Sequence, residues 1–206
     1  MSLTGKQVQK KYNRYSTVYD LLEWLPEKML LGKLRKPFLE NIKGNVLEIG
    51  VGTGKNLPYY NYNKVDLTAI DISQGMLHKA KKVAKENKFP VNLQLVEEEK
   101  LPFKDNTFDY VVMTFVLCSV PNQHKMLYEM KRVVKKEGKI VLLGHMLSKN
   151  KIIAFFEHLH NPITKALVGV NINRKTIDSI RECGLKINKE KNIALKDVFK
   201  ELEVQK

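Results

Sequence analysis

Between residues 45 and 144 the chain alternates short apolar runs with amphipathic segments. The runs predict β-strands at 45–50, 66–71, 91–96, 108–114 and 139–144, and unbroken apolar runs are typical of strands buried on both faces. The amphipathic segments predict helices at 74–87, with Ser73 as N-cap, and at 122–136. This alternation predicts a doubly wound α/β fold.

Further elements are expected on both sides of the alternating region. Residues 3–41 have helical periodicity, 57–60 are expected on a helix after the first strand, and 150–168 are expected as a helix that covers the site. A helix at 174–183 stops at Gly184, and two weaker strands follow at 185–195 and 198–205.

Length and composition limit the class of protein. With 206 residues and 43% hydrophobic content, the chain suits one domain with a full core. No apolar run has the length of a membrane span, and no secretory signal is recognised. Cys118 and Cys183 are too few for a disulfide framework or a metal cluster, so we expect reduced thiols, a cytoplasmic protein and no metal.

The net charge of +14 is spread along the chain and comes mostly from lysine. Base and phosphate readers tend to use arginine forks, so this pattern favours a solubilising surface. Attraction to nucleic acid, anionic lipid or an acidic substrate is the alternative interpretation.

The strongest chemical signal follows the first strand, where Gly50, Gly52 and Gly54 alternate with other residues. Glycines permit unusual backbone angles and close approach of a ligand, and ligands of open α/β sheets bind at this edge. The spacing is neither that of a dinucleotide fingerprint nor that of a P-loop. Glu48, within the strand, would repel a phosphate and suits a ligand with an ammonium group. Alternatively, Glu48 only ties down loop amides.

Acidic residues also follow the second and third strands. Asp71 is placed to accept the two hydroxyls of an adenosine ribose, whereas the alternative is a cap on the following helix. One of the glutamates at 97–99 is placed to accept an adenine amino group, and a solvated acidic turn is the alternative.

These residues form a combination of motifs that is more specific than any one of them. The motifs are Glu48-x-Gly50-x-Gly52-x-Gly54, Asp71-Ile72-Ser73-x-Gly75-Met76-Leu77, Leu101-Pro102-Phe103 and Phe108-Asp109. Over roughly residues 10–205 the chain resembles class I S-adenosylmethionine-dependent methyltransferases. The resemblance implies a Rossmann-like seven-stranded sheet of order 3-2-1-4-5-7-6, with strand 7 antiparallel.

The resemblance also implies roles for individual residues. Gly50, Gly52 and Gly54 would wrap S-adenosylmethionine, whose product is S-adenosylhomocysteine. The remaining cofactor contacts that it implies are Asp71 at the ribose, Ile72 and Met76 beside the adenine, Glu97 at the adenine amino group and Thr114 next to the sulfonium. It predicts a single domain, 1–206, with an N-terminal helical cap or lid (1–44), a cofactor-binding core (45–147), and a lid helix with C-terminal helix and strands (148–206).

A narrower resemblance is carried by the segments 114–121, Gly144-His145 and Asn171-x-Asn173-Arg174. They are similar to bacterial phosphatidylethanolamine N-methyltransferases and animal alkyl thiol methyltransferases, with quinone-biosynthesis C-methyltransferases as near relatives. Residues 12–20 resemble an opening segment that folds over the cofactor in those proteins. Tyr15 is therefore expected to close the lid or contact the methionine carboxylate, with core packing as the alternative.

Together these patterns predict methyl transfer to a small-molecule or lipid-like acceptor, with RNA as the alternative acceptor. The reaction needs alignment and exclusion of water, and a base only if the acceptor must lose a proton. His145 is the best base candidate, and a loop histidine bonded to backbone is the alternative. The apolar segment 155–168 favours a lid helix packed on the domain over a contact with a greasy substrate or an anionic membrane surface. No obligate nucleic acid partner is expected.

Overall fold

The computed structural model describes residues 4–26, 31–96 and 100–206. Helices and strands alternate through most of this range. In chain order they are α1 (Gly5–Pro26), α2 (Gly32–Leu39), β1 (Gly44–Ile49), β2 (Val65–Asp71), α3 (Gln74–Glu86), β3 (Val91–Leu95), β4 (Phe108–Thr114), α4 (Gln123–Val133), β5 (Val134–His145), α5 (Lys151–Val168), α6 (Thr176–Glu182), β6 (Lys186–Ala194) and β7 (Phe199–Gln205).

The strands form one seven-stranded sheet of order β3-β2-β1-β4-β5-β7-β6. The pairs from β3 through β5 are parallel, and β7 runs antiparallel to both β5 and β6. The predicted Rossmann-like topology is therefore confirmed, including the antiparallel seventh strand.

Each face of the sheet carries its own apolar core, because successive residues of a strand point to opposite sides. On β4, Val111 packs in one core and Val112 in the other, and both are fully buried. The first core includes residues of α4 and α6, and the second includes residues of α2 and α3. Helices thus cover both faces, as an unbroken apolar strand requires.

Two segments differ from the sequence prediction. Residues 134–136, predicted as the end of a helix, and the connection up to Gly138 form the start of β5 instead. A Cβ at Gly138 would lie 3.0 Å from the Phe108 carbonyl oxygen, so the absence of a side chain lets this segment approach β4. Residues 57–59 form one 3-10 turn rather than a helix, with Pro58 inside it.

Within the described residues, no helix is both long and apolar enough to cross a bilayer. The same part of the chain contains no group of three or more His, Cys, Asp or Glu side chains placed to hold a metal ion.

Candidate active site

A pocket opens at the carboxyl ends of β1, β2 and β4, where ligands of open α/β sheets bind. The glycine loop and the start of α3 form one side, and Gly5, Val8 and Tyr12 of α1 form another. The segment that follows β4 contributes Phe115, Val116, Ser119, Val120, Pro121 and Asn122. The site residues predicted from the sequence that line the pocket are Gly50, Gly52, Asp71, Ile72, Met76 and Thr114.

The three glycines of the loop meet different steric demands. All have positive φ, at +76° for Gly50, +58° for Gly52 and +88° for Gly54. A Cβ on Gly50 would lie 2.6 Å from a methyl carbon of Val116, and one on Gly54 would lie 3.2 Å from Cα of Ala80. A Cβ on Gly52 would meet nothing within 4 Å. Gly50 and Gly54 therefore permit close packing, whereas Gly52 leaves space on the pocket side.

Asp71 holds the glycine loop to the end of β2. One carboxylate oxygen accepts the Gly52 N–H at 2.8 Å, and the other accepts the Ser73 N–H at 2.8 Å. Burial raises the pKa of Asp71, and the N–H donors at Ser73 and Gly52 partly offset this rise. Ser73 itself caps α3 by accepting the Met76 N–H, so the helix cap does not depend on Asp71 alone.

Glu48 belongs to a buried polar cluster behind the pocket lining. Its Oε1 accepts a 2.8 Å hydrogen bond from the Asn56 side chain, and the buried hydroxyl of Tyr60 also interacts with the carboxyl group. Arg35 donates to Asn56 Oδ1 at 2.7 Å and to Thr114 Oγ1 at 3.0 Å. Burial raises the pKa of Glu48 to about 7, although the hydrogen bonds from Asn56 and Tyr60 and the Arg35 charge oppose this.

Sequence analysis did not select Arg35 or Asn56. Arg35 lies on α2, is only 6% exposed and also lines the pocket. Its guanidinium carbon lies 5.0 Å from the ring centroid of Phe115, whose φ of +57° is unusual for a bulky residue. Asn56 follows the glycine loop where a P-loop would have serine or threonine. The one signal for Arg35 in the sequence was that it is an arginine within an otherwise lysine-rich helix.

The helix α1 covers the pocket and is joined to its walls through Tyr12 and Asn13. Tyr12 donates a 2.7 Å hydrogen bond to the hydroxyl of Ser119. Asn13 Oδ1 accepts from the Ser73 hydroxyl at 2.6 Å and from the Gly75 N–H at 3.2 Å. A Cβ at Gly75 would lie 2.5 Å from Ser16 Oγ, so glycine at this position lets α1 lie against the start of α3.

His145 ends β5 and does not line this pocket. It lines a separate small cavity, although Phe115 and Val116 line both. Its Nε2 lies 3.3 Å from Glu157 Oε1, and its ring meets Phe199 edge-on at a centroid distance of 5.5 Å. Burial lowers the pKa of His145 to about 4, so the imidazole is neutral at physiological pH.

Comparison with known proteins identifies the family. Residues 47–142 match the methyltransferase domain family. A ubiquinone/menaquinone biosynthesis C-methyltransferase of Rickettsia typhi is 30% identical over 166 residues, which is 74% of this chain and 67% of that protein. The chain belongs to the class I S-adenosylmethionine-dependent methyltransferases. S-adenosylmethionine is therefore its cofactor.

Two further similarities extend this picture of the methyltransferase. A phosphatidylethanolamine N-methyltransferase of Cereibacter sphaeroides is 39% identical over 124 residues, which is 56% of this chain and 61% of that protein. The match thus spans less than two thirds of that relative's length. The solved structure of the cyclase SpnF superposes with a TM-score of 0.77 at 16% identity, covering 100% of this chain and 97% of that one. At this identity the similarity shows the fold alone.

The residues around the pocket fit the cofactor of this methyltransferase family. The pocket has open space beside Gly52, and any side chain at that position would enter the space. The buried carboxyl group of Glu48 and the buried guanidinium of Arg35 lie near the glycine loop, where a zwitterionic amino acid needs partners for its ammonium and carboxylate groups. Glu97 and the side chain of Tyr15 lie outside the described residues, so their roles stay predictions.

Proposed function

We propose that this methyltransferase transfers a methyl group from S-adenosylmethionine to a nucleophile on a small-molecule or lipid-like acceptor. The observation that carries the proposal is the open space at Gly52 beside a buried, backbone-anchored Asp71. Beyond the glycine loop, much of the pocket lining is apolar, including Phe115, Val116 and Val120, which suits an acceptor with an apolar part. The names of the two curated relatives, which refer to a phospholipid and to quinones, support this class.

Each pocket residue has a proposed task in holding the cofactor. Asp71 accepts the ribose hydroxyls while keeping its loop contacts, and Ile72 and Met76 flank the adenine. Gly50 and Gly52 wrap the amino-acid part, and Gly54 keeps the loop packed on α3. We add Arg35, whose buried guanidinium is placed to hold the carboxylate, while Glu48 attracts the ammonium group directly or through water.

When bound, S-adenosylmethionine supplies an electrophilic methyl group on a positively charged sulfur. The chain's own residues contribute alignment and a dry site. Thr114, at the end of β4, is held by Arg35 and Asn56 and fixes the pocket wall where the methyl group is proposed to lie. The cover formed by α1, tied through Tyr12 to Ser119, excludes water from the reacting atoms.

Isothermal calorimetry, followed by an acceptor screen, tests this function. We expect one molecule of S-adenosylmethionine per chain, and S-adenosylhomocysteine formed with phosphatidylethanolamine or a quinol as acceptor. Absence of cofactor binding by the intact protein would refute the whole proposal. RNA as acceptor has the net charge as its only support, and RNA binding that weakens steeply with salt would be needed to revive it.

Asp71→Ala is expected to weaken S-adenosylmethionine binding by about 10- to 100-fold. The change removes a charge-assisted acceptor for the ribose and releases the Gly52 N–H, each with a cost of about 1–3 kcal/mol. Calorimetry measures the effect. Asp109→Ala is the matched control, because Asp109 also accepts a backbone N–H, from Asn45 at 2.8 Å, but does not line the pocket. Equal losses in the two variants would argue against the ribose role.

The role of His145 as general base stays a prediction, and His145→Gln tests it. A base role predicts a kcat lower by about 100-fold or more with an unchanged cofactor affinity. The position of His145 outside the pocket lining predicts a change below about threefold, and we expect this second result. Steady-state kinetics with a saturating acceptor distinguishes the two. A drop of the larger size would place His145 in the catalytic machinery after all.

A further inference from the structure

Helix α5 exposes a continuous apolar face to solvent. Six of its large apolar side chains are between 53% and 73% exposed: Ile152, Phe155, Phe156, Leu159, Ile163 and Leu167. At 3.6 residues per turn these positions fall within an arc of about 120° on one side of the helix. They form one contiguous exposed apolar surface, which we call the α5 apolar face.

The opposite side of α5 is polar and faces the protein. Glu157 is buried, and its Oε2 accepts the Ser148 N–H at 2.9 Å. Asn161 Oδ1 accepts the Ile172 N–H at 2.9 Å, and Thr164 donates to the Val170 carbonyl at 3.1 Å. The sequence favoured a lid helix with its apolar side packed on the domain, and the structure has the reverse orientation. Burial of such an outward apolar face against an apolar partner is favourable, so the face marks an interaction site.

Charge decides which partner suits this face. The single acidic residue of α5, Glu157, is the buried one, whereas Lys149 and Lys151 form an exposed basic rim at the start of the helix, with Lys149 Nζ 3.6 Å from Glu190 Oε1. A second copy of the chain would bring two basic rims together, which costs energy. An anionic lipid surface would meet the same rim with attraction and would also receive the apolar side chains.

We propose that α5 lies in the interface of an anionic lipid bilayer, with its apolar face toward the acyl chains. The helix has 18 residues, and no described helix meets the requirements of a membrane span, so it lies on the bilayer rather than crossing it. Lys11 of α1 donates to the Lys165 carbonyl at 3.2 Å, which ties α5 to the helix that covers the cofactor pocket. This contact brings the pocket close to the membrane. Only the link between the pocket and the membrane rests on the proposed lipid-like acceptor; the binding of α5 to the bilayer does not.

Vesicle co-sedimentation of the full chain tests the proposal. Vesicles of equal parts phosphatidylglycerol and phosphatidylcholine should bind the wild-type protein at least about tenfold more tightly than phosphatidylcholine alone. The variant Phe155→Ser/Leu159→Ser should lose about tenfold or more of the binding to the anionic vesicles. Because both side chains point to solvent, this variant should fold and bind S-adenosylmethionine as the wild type does.

The matched control is Tyr128→Ser/Leu195→Ser, which removes two apolar side chains of similar exposure from outside α5, at 53% and 64%. It should bind the vesicles as the wild type does.

Equal binding by the α5 variant and the wild type, or no binding of the wild type to anionic vesicles, would overturn the proposal. So would a wild-type dimer in sedimentation equilibrium that the α5 variant abolishes without any vesicle binding, since a second copy would then cover the face. Cofactor binding, measured separately, keeps these outcomes distinct from failure of the methyltransferase assignment.

Discussion

Gly52→Arg is expected to lower the affinity for S-adenosylmethionine by more than about 100-fold while the chain stays folded. Gly52 lines the pocket, and a side chain at this position would enter space that no protein atom fills within 4 Å of its Cβ. The arginine would occupy the volume of the ligand rather than displace the protein core. The backbone cost of a non-glycine residue at φ +58° is about 1 kcal/mol, which a folded domain tolerates.

Calorimetry measures the affinity of this variant, and thermal unfolding checks that it is folded. A matched pair of alanine variants separates blocked space from backbone strain. Gly52→Ala and Gly184→Ala both place a Cβ at a similar positive φ, +58° and +65°, but Gly184 does not line the pocket. We expect weaker cofactor binding in Gly52→Ala and unchanged binding in Gly184→Ala. Cofactor affinity within about threefold of wild type in Gly52→Arg would show that the ligand lies elsewhere.

The core of the fold was predictable because its signals are local. The run from Val111 to Met113 is apolar and fully buried, as a strand covered on both faces must be, and it forms the centre of β4. Ser73 before an amphipathic segment marked the start of α3, and the structure confirms its cap. The strand order came from the family resemblance, because parallel pairing between distant segments leaves little local trace.

The errors arose where tertiary contacts overrule local propensity. Residues 134–138 have helix-forming lysine and glutamate, but Gly138 allows close contact with β4 and the segment pairs as strand. The apolar stripe of α5 was visible in the sequence. Periodicity alone does not tell whether such a stripe faces a core or the solvent, and the polar contacts of Glu157 that decide this join it to Ser148 on another segment.

In the candidate site, too, some residues could be predicted from local sequence and others depend on contacts between distant parts of the chain. The glycine loop and Asp71 could be recognised from the sequence, because the backbone angles and the position of the carboxylate follow from residue type and spacing. Arg35 could not be recognised in this way, because its partners Asn56 and Thr114 are 21 and 79 residues away in the chain. A buried arginine is stable only when its donors are satisfied, and that condition becomes visible only in the folded molecule.

Glu48→Gln is expected to gain stability relative to the wild-type protein as the pH rises. Burial raises the pKa of Glu48 to about 7 from 4.5. Between these values the folded chain keeps a proton that the unfolded chain has released, so the contribution of Glu48 is full below pH 4.5 and is lost as the pH rises through 7. The whole shift corresponds to about 3 kcal/mol of unfolding free energy, and glutamine has no such dependence.

Urea unfolding between pH 5 and pH 8 measures the difference between the two proteins, which should move by about 2.5 kcal/mol in favour of the variant, most of the whole shift. His145 acts in the opposite direction, because its lowered pKa of about 4 makes stability fall as the pH drops below 6.5. Both proteins contain His145, so its effect cancels in the difference.

Asp109→Asn serves as control. Lys135 lowers the pKa of Asp109, so the contribution of Asp109 to stability is already complete above pH 5, and the difference between this variant and the wild type should stay flat. A flat difference for Glu48→Gln as well would mean that Glu48 is ionised in the folded chain across this range, and that the ammonium-binding carboxylate is ready without loss of a proton.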